Sequence, residues 1–337
     1  MATKPTAGKL AGLQAVSDAR GVIAAAAMDQ RGSLQKSIAT SRGGTASDKD
    51  LETFKVLVTK VLTRYASAIL LDPEYGLAAT RVRNSAGLLL AYEKTGYDAA
   101  TPGRLPDLLD HWSVRRLKEA GADCIKVLLY YSPLEESSVN DVKHAFIERI
   151  GDECIAHDIP FFLETVGYDV ESAGEKSLAY AKKKPTVVSG SMAEFGKTRY
   201  AVDVLKVEVP VEMSFVEGTA SYKGEKAYTR AEAVQFFQDA AGMTDKPFIY
   251  LSAGVSNPVF IETLQLAAES GTRFNGVLCG RATWKDGIDV YAKQGEHAFE
   301  DWLNTQGVEN IQNVNKALQA ATPWYTKFGA TSYDQLR

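Results

Sequence analysis

Long apolar runs are missing from this sequence. None approaches the ~20 residues that a membrane-spanning helix needs. The N-terminus, MATKPTAGKLAGLQ, lacks the apolar centre of a signal peptide. No membrane partner and a cytoplasmic location are therefore expected. Cysteine is scarce: Cys124, Cys154 and Cys279 are the three in the chain, and none forms a CxxC pair. That spacing argues against a disulfide framework or a cysteine zinc site. The four histidines, His111, His144, His157 and His297, form no close HxH or HxxxH pair. A histidine-held metal is thus disfavoured, and no metal or other cofactor is expected. Long basic runs are absent and the net charge is -4, which argues against nucleic acid as a partner. No linker or low-complexity stretch divides the 337 residues. We read them as a single domain, with residues 1–20 as an N-terminal extension and 319–337 as a C-terminal tail. The pattern is compatible with a homo-oligomer but does not specify one.

What is present is a recurring short apolar run. Val22 to Met28, Ala66 to Leu71, Gly87 to Tyr92, Cys124 to Tyr130, Pro160 to Val166, Val202 to Val209, Phe248 to Ser252 and Gly276 to Cys279 make eight candidate strands. Most end in polar or glycine-containing text: MDQRG, LDPEYG, LETVGYD, LSAGVS, LCGRATW. The intervening segments carry helical stripes, such as Leu51, Phe54, Val58, Val61 and Tyr65, or Val142, Phe146, Ile150 and Cys154. Ser256 is a candidate helix N-cap, and Gly271 a candidate stop. Ser41 to Asp50 reads as a loop, and the last fifty residues as further helix and a polar tail. Strand and helix alternating eight times predict an α/β fold, a (β/α)8 TIM barrel with extra terminal helices. Strands apolar on both faces fit a parallel sheet covered on both sides.

Against that background, AVDVLKVEVP is anomalous. Lys206 stands in the middle of a strand that should be buried, where an ammonium ion is costly. Lys126 in CIKVLLYY and Glu164 in FFLETV repeat the anomaly, and the first strand ends in Asp29, Gln30 and Arg31. A buried ion-pair network that only fills the barrel would be the plainer reading of one pair. Two lysines and a glutamate on three consecutive strands are better explained by catalysis, because desolvation offsets much of the attraction in buried pairs. A desolvated lysine beside a second cation loses its proton more readily and can attack a ketone to form an imine. Arginine cannot, because its guanidinium stays charged. The pattern leaves open whether Lys206 or Lys126 is the nucleophile.

The last two strands point to an anion. SAGVS (Ser252, Ala253, Gly254) and CGRAT (Gly280, Arg281) place small residues just past a strand, where backbone amides can approach a phosphate. Arg281 adds a fixed cationic fork. Barrels commonly bind phosphate on the loops after strands seven and eight. Glycine after one strand would signify only a turn; both loops together favour a phosphate site. Asp72, Glu74 and Glu93 at other strand ends are read as loop-fixing groups, and Glu208 as a charge balance for Lys206.

MDQRG, ILLDPEYG, LLLAYEKTGYD, KVLLYY, IPFFLE, VDVLKVEVP, YLSAGVS and FNGVLCGRATW, in this order from about Gly21 to about Leu318, closely resemble the class I tagatose 1,6-bisphosphate aldolases of the tagatose 6-phosphate pathway. The resemblance implies a (β/α)8 barrel that cleaves a ketohexose 1,6-bisphosphate by Schiff-base chemistry without metal. The products would be dihydroxyacetone phosphate and glyceraldehyde 3-phosphate. It implies Lys206 as the imine-forming lysine, Lys126 as the second lysine and Glu164 as acid and base, with Asp29 and Gln30 at the first strand. It also implies that Ser252, Ala253, Gly254, Gly280 and Arg281 hold the C1 phosphate. Arg31 is our candidate for the distal phosphate; a surface loop arginine is the plain alternative. Val170 to Ser191 and Ser214 to Ala227 match the family pattern least. Three other functions remain to be separated: an aldolase for a related ketose phosphate such as sulfofructose 1-phosphate, a non-catalytic sugar-phosphate-binding barrel, and a phosphosugar isomerase or epimerase.

Overall fold

The computed structural model describes residues 4–94, 101–171 and 174–337. Eight parallel strands close on themselves. They are β1 (Ile23–Ala27), β2 (Ala68–Leu71), β3 (Gly87–Ala91), β4 (Cys124–Tyr130), β5 (Phe161–Val166), β6 (Val204–Val207), β7 (Phe248–Leu251) and β8 (Gly276–Cys279). Each pairs with its neighbours in sequence, and β8 returns to β1 through Ile23 opposite Gly276. The expected eight-stranded barrel is therefore the observed one. A two-residue ladder, Val216–Glu217 with Tyr228–Thr229, sits in the loop after β6.

Side-chain alternation divides each strand between two environments. Outward residues such as Leu88, Leu90, Leu205 and Val207 join the large core under the helices. Inward residues Ile23, Ala25, Ala27, Leu70, Leu89, Cys124, Phe162, Val204, Ile249 and Leu278 form a second cluster inside the barrel. Helix Ala7–Ala15 and the residue after it contribute Leu10, Leu13 and Val16 to that cluster, and the C-terminal segment adds Trp324, Ala330 and Leu336. The tail is therefore not simply polar: Trp324 is buried and both termini close the N-terminal end of the barrel. An ion pair from Lys9 to Asp203 at 2.7 Å ties the first helix to the segment before β6.

The helical stripes hold with two corrections. In helix Asp48–Leu62, Leu51, Phe54, Val58 and Val61 are buried, but Tyr65 lies past the helix end and is exposed. In helix Ser137–Ala156 the buried face runs through Lys143, Ile147, Ile150 and Cys154, while Val142 is exposed. The face has turned because Lys143 goes inward to donate to the Tyr168 hydroxyl at 3.0 Å. Ser256 is the N-cap residue of helix Asn257–Glu269, without a side-chain cap bond, and Gly271 follows that helix with φ +73°. The segment from Ser41 to Asp50 is loop only in its centre, and Ser47 and Asp50 cap the following helix reciprocally. Among the described residues no helix is long and apolar enough to cross a membrane.

Candidate active site

The inward faces of β1, β3, β4, β5 and β6 become charged at their C-terminal ends. Lys126 and Glu164 are one inward step beyond Cys124 and Phe162, and Lys206 is one step beyond Val204. Register places Glu164 beside Lys206 on adjacent strands. Asp29 and Glu93 continue the inward faces of β1 and β3. The result is a single cluster. The Lys126 ammonium lies 2.8 Å from Asp29 Oδ2, 2.7 Å from Glu93 Oε1 and 2.8 Å from Glu164 Oε2. Lys206 Nζ lies 2.8 Å from the same Glu164 oxygen. Both lysines are buried, with Lys126 at 0% exposure and Lys206 at 3%.

The two lysines differ in their surroundings. Burial works against the charge of Lys126, but Asp29, Glu164 and Glu93 outweigh it and hold that ammonium well above the ordinary lysine range. Lys206 is paired with Glu164 alone among the described residues. Burial would raise the Glu164 carboxyl, yet Lys126 and then Lys206 bring it below the usual range. Asp29 is likewise depressed, with Lys126, Lys206 and Lys55 overcoming its burial. Glu93 goes the other way: burial dominates, and Lys126 and Arg31 offset it only in part. Among the described residues, Glu93 Oε2 is buried without a hydrogen-bond partner, as is Gln30 Oε1.

A cavity of about 340 Å³ opens above this cluster. Asp29, Gln30, Glu93 and Glu164 line it from one side, and Leu251, Ala253 and Arg281 from the other. The strand-end text MDQR is fixed from behind by Lys55. This lysine, fully buried on helix Asp48–Leu62, donates to Met28 O and Gln30 O at 2.7 Å each and pairs with Asp72 at 2.5 Å. Asp72 also accepts from the backbone of Glu74 and Tyr75, which is the loop-fixing role expected of it.

The loops after β7 and β8 meet at this cavity. Ala253 and Gly254 both have left-handed backbones, φ +47° and +76°. A Cβ at Gly254 would come within 2.8 Å of the Arg281 guanidinium carbon, and one at Gly280 within 2.8 Å of Ala27 O. Glycine is thus what lets Arg281 lie against the β7 loop. The Ser252 side chain is buried beside Cys279.

Arg31 is neither a surface loop residue nor free. It is 3% exposed, lines the cavity, pairs with Glu74 at 2.5 Å and donates to the Glu93 carbonyl at 2.7 Å. Glu208 also lines the cavity, accepts from Gly167 N at 2.7 Å and lies 3.5 Å from Lys184, so its charge is balanced by Lys184. Glu93 is the residue that sequence reasoning underrated. Its signal was available: Leu89, Ala91 and Glu93 share one face of β3, as Val204 and Lys206 do in β6.

This arrangement pairs a buried amine with a carboxylate beneath a rim that carries Ala253 and Arg281. The chain matches the DeoC/LacD family aldolase description over residues 23–286. It belongs to the DeoC/LacD family of aldolases. Within that family it is 57% identical over 324 residues to tagatose 1,6-diphosphate aldolase 2 of Enterococcus faecalis, covering 96% of this chain and 97% of the relative. It is 54% identical over 327 residues to tagatose 1,6-diphosphate aldolase of Listeria monocytogenes, covering 96% of each. The fold also resembles a fructose-bisphosphate aldolase from Plasmodium falciparum, with TM-score 0.68, 14% identity, and 95% of this chain and 97% of that one covered. At that identity the likeness concerns the barrel alone. For this DeoC/LacD member, no group of three or more His, Cys, Asp or Glu among the described residues is placed to hold a metal ion.

Proposed function

We propose that this aldolase cleaves tagatose 1,6-bisphosphate to dihydroxyacetone phosphate and glyceraldehyde 3-phosphate through an imine on Lys206. The observation that carries this reading is the shared Glu164 oxygen, 2.8 Å from both lysines. The names of the relatives support the choice of sugar.

In the first step Glu164 accepts a proton from Lys206, and the neutral amine adds to the C2 ketone of the open-chain sugar. Glu164 returns that proton to the carbinolamine oxygen, then carries the second proton from the carbinolamine nitrogen to the same oxygen, which leaves as water and gives the iminium ion with Glu164 ionised. Glu164, ionised again, takes the C4 hydroxyl proton as the C3–C4 bond breaks. That electron pair moves onto the iminium and forms an enamine, and glyceraldehyde 3-phosphate leaves. Protonation of the enamine at C3 and hydrolysis release dihydroxyacetone phosphate and regenerate Lys206. Lys126, held charged by its three carboxylates, is the fixed cation of the site. Asp29 orients Lys126 and the carbinolamine. The unpartnered oxygens of Gln30 and Glu93 are acceptors for sugar hydroxyls. Ser252, Ala253, Gly254 and Gly280 offer backbone, and Arg281 its guanidinium, to the C1 phosphate. Arg31 is a supporting residue whose charge reaches the cavity through its fixed pairings. Charged sugar phosphates do not cross a bilayer readily, so the cytoplasm is the location that fits this substrate.

A coupled assay that detects both triose phosphates tests the reading. Cleavage of tagatose 1,6-bisphosphate that persists in a chelator supports it. Cleavage of sulfofructose 1-phosphate with no cleavage of the bisphosphate would replace the sugar while leaving the imine intact.

A further inference from the structure

The proposed substrate carries a second phosphate, and the cations around the cavity are mostly taken. Lys126 faces three carboxylates, Arg31 is bound to Glu74 and the Glu93 carbonyl, and Lys94 pairs with Asp107 and Asp110 at 2.8 and 2.7 Å. Arg281 lies against the β7 loop, at the other phosphate. Arg104 stands apart from these. Its guanidinium carbon sits 4.9 Å from the ring centre of Tyr130, which lines the cavity, and 5.2 Å from that of Tyr168. Among the described residues, the Glu175 carboxylate pairs with it at 2.7 Å.

The backbone is arranged around this placement. Just past β3, Glu93 stands opposite Leu108 and Lys94 N donates to Asp107 O at 2.9 Å. Arg104 lies a few residues before this pairing. Its φ is +42°, a left-handed conformation that a side-chain-bearing residue adopts at a cost. Gly103 precedes it at φ +77°, where a Cβ would fall 2.7 Å from Val139. Two successive left-handed residues thus turn the arginine back over β4 and the loop after β5. Stacking between two aromatic rings holds a guanidinium plane still while leaving its edge available to an anion.

We infer that Arg104 supplies the positive charge that recognises the distal phosphate, and so sets the preference for a sugar phosphorylated at both ends. This rests on the proposed reaction for its substrate, but not on imine formation. Glu175 holds the guanidinium in the free enzyme and competes with the phosphate for it.

The test separates charge recognition from folding of the loop. Binding of an open-chain hexitol 1,6-bisphosphate and of the matching hexitol 1-phosphate is measured by calorimetry on the wild-type protein and on Arg104→Ala, Arg104→Lys and Glu175→Gln. Neither ligand has a carbonyl, so the result is independent of Lys206 chemistry. Arg104→Ala should weaken the bisphosphate at least about tenfold and leave the 1-phosphate within about twofold, as expected for losing a charged hydrogen-bonding partner. Arg104→Lys should recover part of the difference, and Glu175→Gln should tighten the bisphosphate alone. An equal loss for both ligands would overturn the inference and make Arg104 a strut of the loop. No loss for either would overturn it as well. Failure of the wild-type protein to prefer the bisphosphate would do the same, whereas failure of imine trapping would not touch it.

Discussion

Compare the two ends of the barrel interior. Near the closed end, β4, β5 and β6 point Cys124, Phe162 and Val204 inward, against Leu10, Leu13 and Trp324 from the termini. One pleat along, the same strands point Lys126, Glu164 and Lys206 inward. The closed end buries apolar surface, which stabilises the fold by about 25 cal/mol for each Å² removed from water. The open end buries charges, whose desolvation cancels much of their mutual attraction. A barrel optimised only for stability would continue the apolar pattern. The change of chemistry within one pleat separates the part that holds the fold from the part we propose does the reaction.

Substitutions can break that division on either side. The largest effect belongs to Lys206→Met, which should lower kcat by on the order of 10⁴-fold or more, the scale of losing a covalent nucleophile, with thermal unfolding little changed. Glu164→Gln should cost about 10²–10⁴-fold in kcat, the range for a general base, read by the same assay. Lys126→Met should differ from Lys206→Met in kind. It leaves Asp29, Glu93 and Glu164 without their shared cation, so denaturant unfolding should show a loss of about 3–5 kcal/mol as well as inactivity. At the closed end, Phe162→Ala should also cost about 3–5 kcal/mol, yet leave kcat per folded molecule near wild type.

The smallest effects are in pH dependence, and they sharpen the comparison within the charged end. Asp29 is depressed in the fold from 3.8, so the unfolded chain takes up that proton first. Its stabilising contribution is present above 3.8 and is lost as pH falls toward the folded value. Glu93 is raised from 4.5, so the folded chain takes up its proton first, and stability falls as pH rises above 4.5. Melting temperatures measured across about pH 3 to 7 should therefore show opposite trends. Asp29→Asn should remove the gain that the wild-type protein shows at the acid end of the range. Glu93→Gln should improve relative to wild type toward neutral pH. Parallel trends would mean that the two carboxylates share one environment.

The barrel was legible because its signal is local. All eight strands lie where the apolar runs placed them, and Lys206 is buried in mid-strand as its position implied. The buried helix lysines were not legible. Lys55, Lys143 and Lys184 sit among residues that would look the same on a solvated face, and only their tertiary partners reveal them. The Val142 stripe misled for this reason: an apolar period gives way when a lysine one position away finds a buried acceptor. Glu93 was read only as a loop-fixing group for a different reason. It follows the last paired residue of β3, where the strand period still applies but the text already reads as loop. Arg104 could not be inferred without the fold, because its two tyrosines lie on other segments.

The central claim is that Lys206, and not Lys126, forms the covalent bond with the sugar. Borohydride reduction in the presence of dihydroxyacetone phosphate, followed by peptide mass mapping, tests it most directly. A stable adduct on Lys206, absent from Lys206→Met, is the expected result; an adduct on Lys126, or none on either lysine under conditions of full activity, would contradict the account.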